Sequence, residues 1–150
     1  MYGGDYLNLK PVTVEEVERW YERYSSEPLG WVVEAEGRCV GNARLSLVDE
    51  ENRSARYAVG LFDSTVWNRG YGIEITRLVL RYAFEELHLH RVDLIVLEYN
   101  LRAIACYKKC GFVHEGTARE SALVAGEWHS DIQMSILEHE YRVVSSSWNL

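Results

Sequence analysis

Hydrophobic and polar positions change their period several times along this chain, and each change marks an element. Tyr6-Leu7-Asn8-Leu9 reads as a short strand ending at Pro11. Thr13 and Glu16 have the spacing of a capping box, in which each side chain accepts from a main-chain N–H at a helix start. Val14, Val17, Tyr21 and Tyr24 then recur at helical spacing, which predicts a helix from Val14 to Ser25. Between Leu29 and Val48 the period shortens to two. Val40, Asn42, Arg44 and Ser46 alternate with Cys39, Ala43, Leu45 and Leu47, and Gly37-Arg38 supplies a turn, so an antiparallel hairpin is expected. The acidic loop from Asp49 to Ser54 leads into a further strand, Ala55 to Phe62.

The second half starts with a helical pattern from Ile73 to His88, whose Ile75, Leu78, Val79, Tyr82, Ala83 and Leu87 form a broad apolar face. Val92 to Leu97 is an unbroken apolar run, the mark of a strand covered on both faces. Asn100 is a good N-cap for a short helix from Leu101 to Lys109, which Gly111 stops. Two strands close the sequence, around Phe112–Arg119 and His129–His139, joined across Ala125-Gly126. The order is strand, helix, three antiparallel strands, helix, strand, helix, two strands. This predicts an α/β protein of the α+β type, with a mixed, mostly antiparallel sheet of about seven strands and helices on its faces.

Composition narrows the picture only a little. The 150 residues, 47% of them hydrophobic, suit one domain over residues 1–150 with one core. The start of the chain lacks the basic and apolar segments of a secretory signal, so a cytoplasmic protein is expected. Three cysteines without paired spacing are read as reduced thiols rather than a metal site. The formal net charge of -7 argues against a nucleic-acid partner and mildly favours a cationic small molecule or basic peptide. No membrane partner is expected.

The chemistry concentrates at Trp67-Asn68-Arg69-Gly70-Tyr71-Gly72, directly before the second helix. A Walker A loop needs a lysine after its last glycine, and none follows here; a dinucleotide fingerprint needs a third glycine where Ile75 stands. What remains is a strand, a glycine turn and a helix start, whose free amides and dipole favour an anion such as a pyrophosphate. The same glycines would also serve simply to turn a strand into a helix. Downstream, Asn100 and Tyr107 lie seven residues, or two turns, apart on one helix face.

Taken together, the Arg-Gly-Tyr-Gly turn, the following helix and strand, and Asn100-x-x-Ala103-x-x-x-Tyr107-x-x-x-Gly111-Phe112 resemble the GNAT superfamily of N-acetyltransferases. The segments Leu9–Tyr24 and His114–Leu137 are similar to the branch containing ribosomal-protein N-terminal and spermidine acetyltransferases. That resemblance implies acetyl-CoA as co-substrate and a sheet splayed between its fourth and fifth strands. It implies that an amine attacks the thioester directly within a ternary complex. It places the pyrophosphate on the turn amides of Arg69, Gly70, Tyr71 and Gly72 with Asn68 nearby, and the pantetheine arm on backbone groups of Leu61 and Phe62 and on Asn100. A main-chain N–H near Phe62 is expected to stabilise the oxyanion, and Tyr107 to protonate the departing thiolate. The family's turn usually starts with Gln or Arg, whereas Trp67 stands here, so the anion would rely on main-chain amides and Arg69.

The resemblance leaves the acceptor open among polyamine, aminoglycoside, protein N-terminus and amino-acid derivative, and a homodimer is a further expectation. An alkylamine of pKa about 10.4 is uncharged in only about one molecule in 2,500 at pH 7, so proton removal matters. Glu98 and Asp131 are candidate bases, each equally suited to a structural hydrogen bond. His88 and His90 read as helix-end residues rather than metal ligands, and Cys106 and Cys110 as helix packing. A catalytically silent acyl-CoA sensor is the alternative in a different class: Tyr107 speaks against it and Trp67 slightly for it.

Overall fold

The computed structural model describes residues 13–25 and 29–150; the strand expected over Tyr6–Leu9, and the side chains of residues 20–25, lie outside what it describes. Helix α1 (Val14–Ser25) opens with the capping box: the Thr13 N–H donates to Glu16 at 2.9 Å and the Glu16 N–H to the Thr13 hydroxyl at 3.2 Å. Strands β1 (Gly30–Ala35), β2 (Arg38–Asp49) and β3 (Ser54–Leu61) form an antiparallel meander. Then follow α2 (Tyr71–Arg81), β4 (Arg91–Leu97), α3 (Leu101–Lys109), β5 (Val113–Val124), β6 (Glu127–Leu137) and α4 (Glu138–Ser145). Among the described residues the sheet has six strands in the order β1-β2-β3-β4-β6-β5, antiparallel except between β3 and β4.

Alternation along the strands sorts the two faces. Ala43, Leu45, Tyr57, Leu94, Met134 and Ile136 are buried against α2, α3 and Tyr141 of α4. The opposite face carries charge near the β3–β4 junction. Arg56 meets Asp93 through two hydrogen bonds of 3.0 and 3.1 Å, and Arg91 reaches Glu115. The Arg91 guanidinium, then the Ser135 hydroxyl, hold the Glu115 carboxyl down to a pKa of about 2.

The junction of the two halves is the feature that shapes the molecule. Only three residue pairs join β3 to β4: Ser54 with Arg91, Ala55 with Val92, and Arg56 with Asp93. Beyond them β3 runs on to Leu61 and β4 to Leu97 without pairing, which opens the wedge expected between the fourth and fifth strands of the sequence reading.

Two elements differ from the expectation. The second helix ends its regular part at Arg81 and continues through a wider π turn, Tyr82–Glu86, in which the Leu87 N–H reaches back five residues to the Tyr82 carbonyl at 3.0 Å. That turn brings Tyr82 edge-on to Trp31 and stacks Phe84 on Tyr141. The last strand stops at Leu137, and α4 follows where the sequence suggested strand to His139. Tyr141 of α4 is buried and Val144, one turn on, packs beside the core; the Glu140 carboxylate caps the helix by accepting from the Leu137 N–H at 2.9 Å.

Candidate active site

The open side of the wedge leads into a cavity of about 400 Å³ between β3, the Trp67–Gly72 turn, the start of α2, and α3. The turn is built by backbone conformation. Asn68 has φ of 59° and Gly70 a φ of 83°, so Gly70 enters α2 from the left-handed region, where glycine has no steric penalty. No side chain caps α2, which leaves the N–H groups of its first turn pointing outward without an intrahelical partner. Open space lies where a side chain on Gly70 would stand, with nothing within 4 Å. Uncapped amides, a helix dipole and bare backbone are the donor set a pyrophosphate requires, so the residues present fit coenzyme A.

A buried relay fixes this turn to the sheet. Thr76, fully buried on α2, donates its hydroxyl hydrogen to the Gly72 carbonyl at 2.7 Å, so the Tyr57 phenol 3.0 Å away donates to Thr76. Burial pushes the Tyr57 phenol well above its ordinary pKa, and it stays a neutral donor.

Tyr107 projects from α3 into the cavity wall, 8% exposed, with its ring edge-on to Tyr57 and Phe112. Leu61, Asn68, Gly70, Tyr71 and Gly72 line the same cavity, so six of the nine positions singled out by sequence come together. The other three are placed differently. The Phe62 N–H donates to the Val40 carbonyl at 3.0 Å, so it faces β2 and is not aimed at the wedge. Arg69 lies outside the lining, tied to Glu36 at 2.6 Å and stacked near Tyr71. Asn100, buried and outside the lining, caps α3 with its side-chain oxygen, which accepts from the Ala103 N–H at 3.2 Å.

Antiparallel ladders explain the Phe62 result. Alternate residues of β3 turn their N–H and C=O toward β2, and the residues between turn them away. With Phe62 bonded to β2, Leu61 and Val59 present their main chain to the open side. Val59 also lines the cavity and was missed by the sequence reading, although the period of two would have found it. Arg102 was missed as well. Its guanidinium lies 4.0 Å from the centre of the Trp67 ring, while the Trp67 indole donates to the Leu61 carbonyl at 2.8 Å. Trp67 thus takes part in the wall through three chain segments. Glu98 and Asp131, the candidate bases, sit near the end of β4 outside this cavity. Glu98 accepts from the Ser130 N–H at 2.9 Å and lies 3.7 Å from His129; Asp131 accepts from the Ser121 hydroxyl at 2.8 Å.

Residues 2–113 match the family model described as an acetyltransferase (GNAT) domain. The chain belongs to the GNAT acetyltransferase family. It is 29% identical to the spermidine N(1)-acetyltransferase of Escherichia coli (strain K12) over 74% of its own length, but spans only 59% of that relative. It is 30% identical to the L-amino acid N-acetyltransferase AaaT of the same organism, over 82% of this chain and 78% of that one. Among solved structures, spermidine N-acetyltransferase from Vibrio cholerae, in complex with CoA and spermine, superposes with a TM-score of 0.74 at 25% identity, covering 93% of this chain and 88% of that one. The GNAT wedge and helix start therefore lie in a fold that holds coenzyme A in a solved relative. No helix among the described residues is long and apolar enough to cross a membrane.

Proposed function

We propose that this chain transfers the acetyl group of acetyl-CoA to a primary amine by direct attack within a ternary complex. The observation that carries this reading is the conjunction of an uncapped α2 N-terminus with an unpaired β3 main chain, both opening on one cavity. Acetyl-CoA supplies, when bound, a thioester that a neutral amine can attack. The amides at Tyr71, Gly72 and Ile73 hold the pyrophosphate, with Asn68 beside them and Arg69 contributing charge from the rim. Val59 pairs its main chain with the pantetheine arm, as a strand edge receives an added strand, and Asn100 donates from Nδ2. The main-chain N–H of Leu61 takes the oxyanion role first assigned to Phe62; such a donor is typically worth about 3–4 kcal/mol. Tyr107 delivers a proton to the departing sulfur from a site sheltered by Tyr57 and Phe112.

Thiol release from acetyl-CoA, followed across a panel of primary amines, tests the reading. Turnover with at least one class of amine is expected. Tight binding of coenzyme A by calorimetry with no turnover across the panel would replace it with the sensor alternative.

A further inference from the structure

The β1–β2 turn reaches across to the turn before α2, and it does so with a residue that its own backbone does not favour. Ala35 pairs with Arg38, so Glu36 and Gly37 make up the whole loop of a two-residue hairpin. Both are in the left-handed region, with φ of 54° and 76°. A two-residue loop with positive φ at both central positions is a type I′ turn, whose first position goes by preference to asparagine, aspartate or glycine. Asparagine and aspartate tolerate left-handed backbone because their short side chains hydrogen-bond locally. Glutamate stands here instead, and its carboxylate is engaged elsewhere.

One Glu36 oxygen meets the Arg69 guanidinium at 2.6 Å, and the other lies 3.6 Å from Arg38. Arg38 in turn holds the loop after β3, donating to Asp63 at 2.8 Å and to the Thr65 hydroxyl at 2.7 Å. The hairpin tip is thereby fixed beside the Trp67–Gly72 turn, its carboxylate on the only cation in that stretch of sequence. Arg69 stands between Asn68 and Gly70, which both line the cavity, and its guanidinium lies 5.4 Å from the ring centre of Tyr71, another lining residue. The Arg69 side chain is 46% exposed and that of Glu36 43%, so packing locks neither. An ion pair this exposed is worth little, and its guanidinium can exchange one anion for another. A diphosphate carries more negative charge than a carboxylate and accepts a guanidinium through two oxygens, so it wins that exchange when present.

We propose that Glu36 is a positioning residue for the cofactor turn: it holds Arg69 off the anion site in the empty protein, yields it to the diphosphate of coenzyme A, and takes it back as the product leaves. The assignment rests on the acetyl-transfer reading above, which names the anion, and adds to it a carboxylate that competes with the cofactor for its own cation. Glu36 therefore weakens binding and hastens release, the step that limits many enzymes.

Calorimetric titration with coenzyme A tests this on the wild type, Glu36→Asn, Arg69→Gln and the double variant. Arg38 keeps Asp63 and Thr65 as partners in all four. Asparagine suits the type I′ turn, so Glu36→Asn should melt at or above the wild-type temperature, which separates an altered site from altered folding. Its dissociation constant for coenzyme A should fall by about fivefold, the upper end for an exposed ion pair. In turnover, KM for acetyl-CoA should fall alongside with no gain in kcat. Arg69→Gln should weaken binding, and by a larger factor in the Glu36→Asn background than alone. An unchanged dissociation constant in Glu36→Asn would overturn the exchange. So would a gain that persists in full beside Arg69→Gln, since Glu36 would then merely repel an anion. Should Glu36→Asn melt below the wild type, Glu36→Gln replaces it in the cycle and is judged by the same outcomes. Coenzyme A binding with no amine acetylated removes the acetyl-transfer reading and leaves the exchange to these titrations; no binding to any of the four proteins overturns both.

Discussion

Tyr107 and Cys106 are neighbours on α3, and both line the cavity, yet their surroundings suit them to different chemistry. Tyr107 is packed edge-on to the rings of Tyr57 and Phe112. Tyr107→Phe keeps the ring packing and removes the hydroxyl, so turnover should fall by about a hundredfold, a typical size for a lost general acid, with coenzyme A affinity largely retained; steady-state kinetics beside calorimetry read the two effects separately. Cys106 touches the turn from below, its Sγ 3.4 Å from where a Cβ on Gly72 would be. Hydrogen bonding from Cys110 is the main cause that draws the Cys106 thiol below its ordinary pKa, with Thr76, Lys109 and Arg77 helping against burial. Cys110 is pushed up by that same hydrogen bond and by burial, and Cys39 is raised by burial. Iodoacetamide should therefore modify Cys106 first, and coenzyme A should slow the reaction, as peptide mass spectrometry after timed alkylation would show. Equal labelling of the three thiols would contradict this.

At the scale of elements, the turn before α2 concentrates the most demanding geometry. Gly70→Ala meets no steric clash with neighbours but must hold φ at 83°, which costs about 1–2 kcal/mol for a residue with a side chain. A lowered melting temperature and weaker coenzyme A binding are expected together. By contrast, Gly41→Ala would place its Cβ 2.2 Å from the Gly60 carbonyl oxygen and should fail to fold normally. Much of this was legible from sequence. Periodicity located α1, β2, β4 and α3 within a residue or two, because each buries one regular face. The Gly70 and Gly72 pair with Asn100 and Tyr107 pointed to the cavity, since their spacing reflects local geometry that the chain carries by itself. What escaped the reading was long-range or irregular. The direction of the Phe62 N–H depends on which β3 residues pair with β2, Arg69 is claimed by Glu36 from another loop, and the π turn keeps the apolar positions of a regular helix, so periodicity cannot announce it.

For the molecule as a whole, acid sensitivity should be set by a few ion pairs. Glu115 is held at about 2, against 4.5 ordinarily, by Arg91 and then Ser135, and Asp63 at about 2, against 3.8, by Thr65 and then Arg38. Both pKa values are depressed in the folded chain, so their contribution to stability is present above about pH 4.5 and is lost as pH falls toward 2. Arg91→Met should flatten this part of the pH–stability curve, followed by denaturant titration at pH 7, 4.5 and 3; an unchanged slope would move the acid response elsewhere. The three-pair junction has a last consequence. Val59 and Leu61 lie in the middle of a six-stranded sheet, but their amides have no strand to bond. The apo protein therefore carries a raw β edge in its interior, of the kind other proteins shield at their margins against foreign strands. A cofactor laid along β3 would cover this edge, so light scattering on gentle heating should rise later with coenzyme A present than without it.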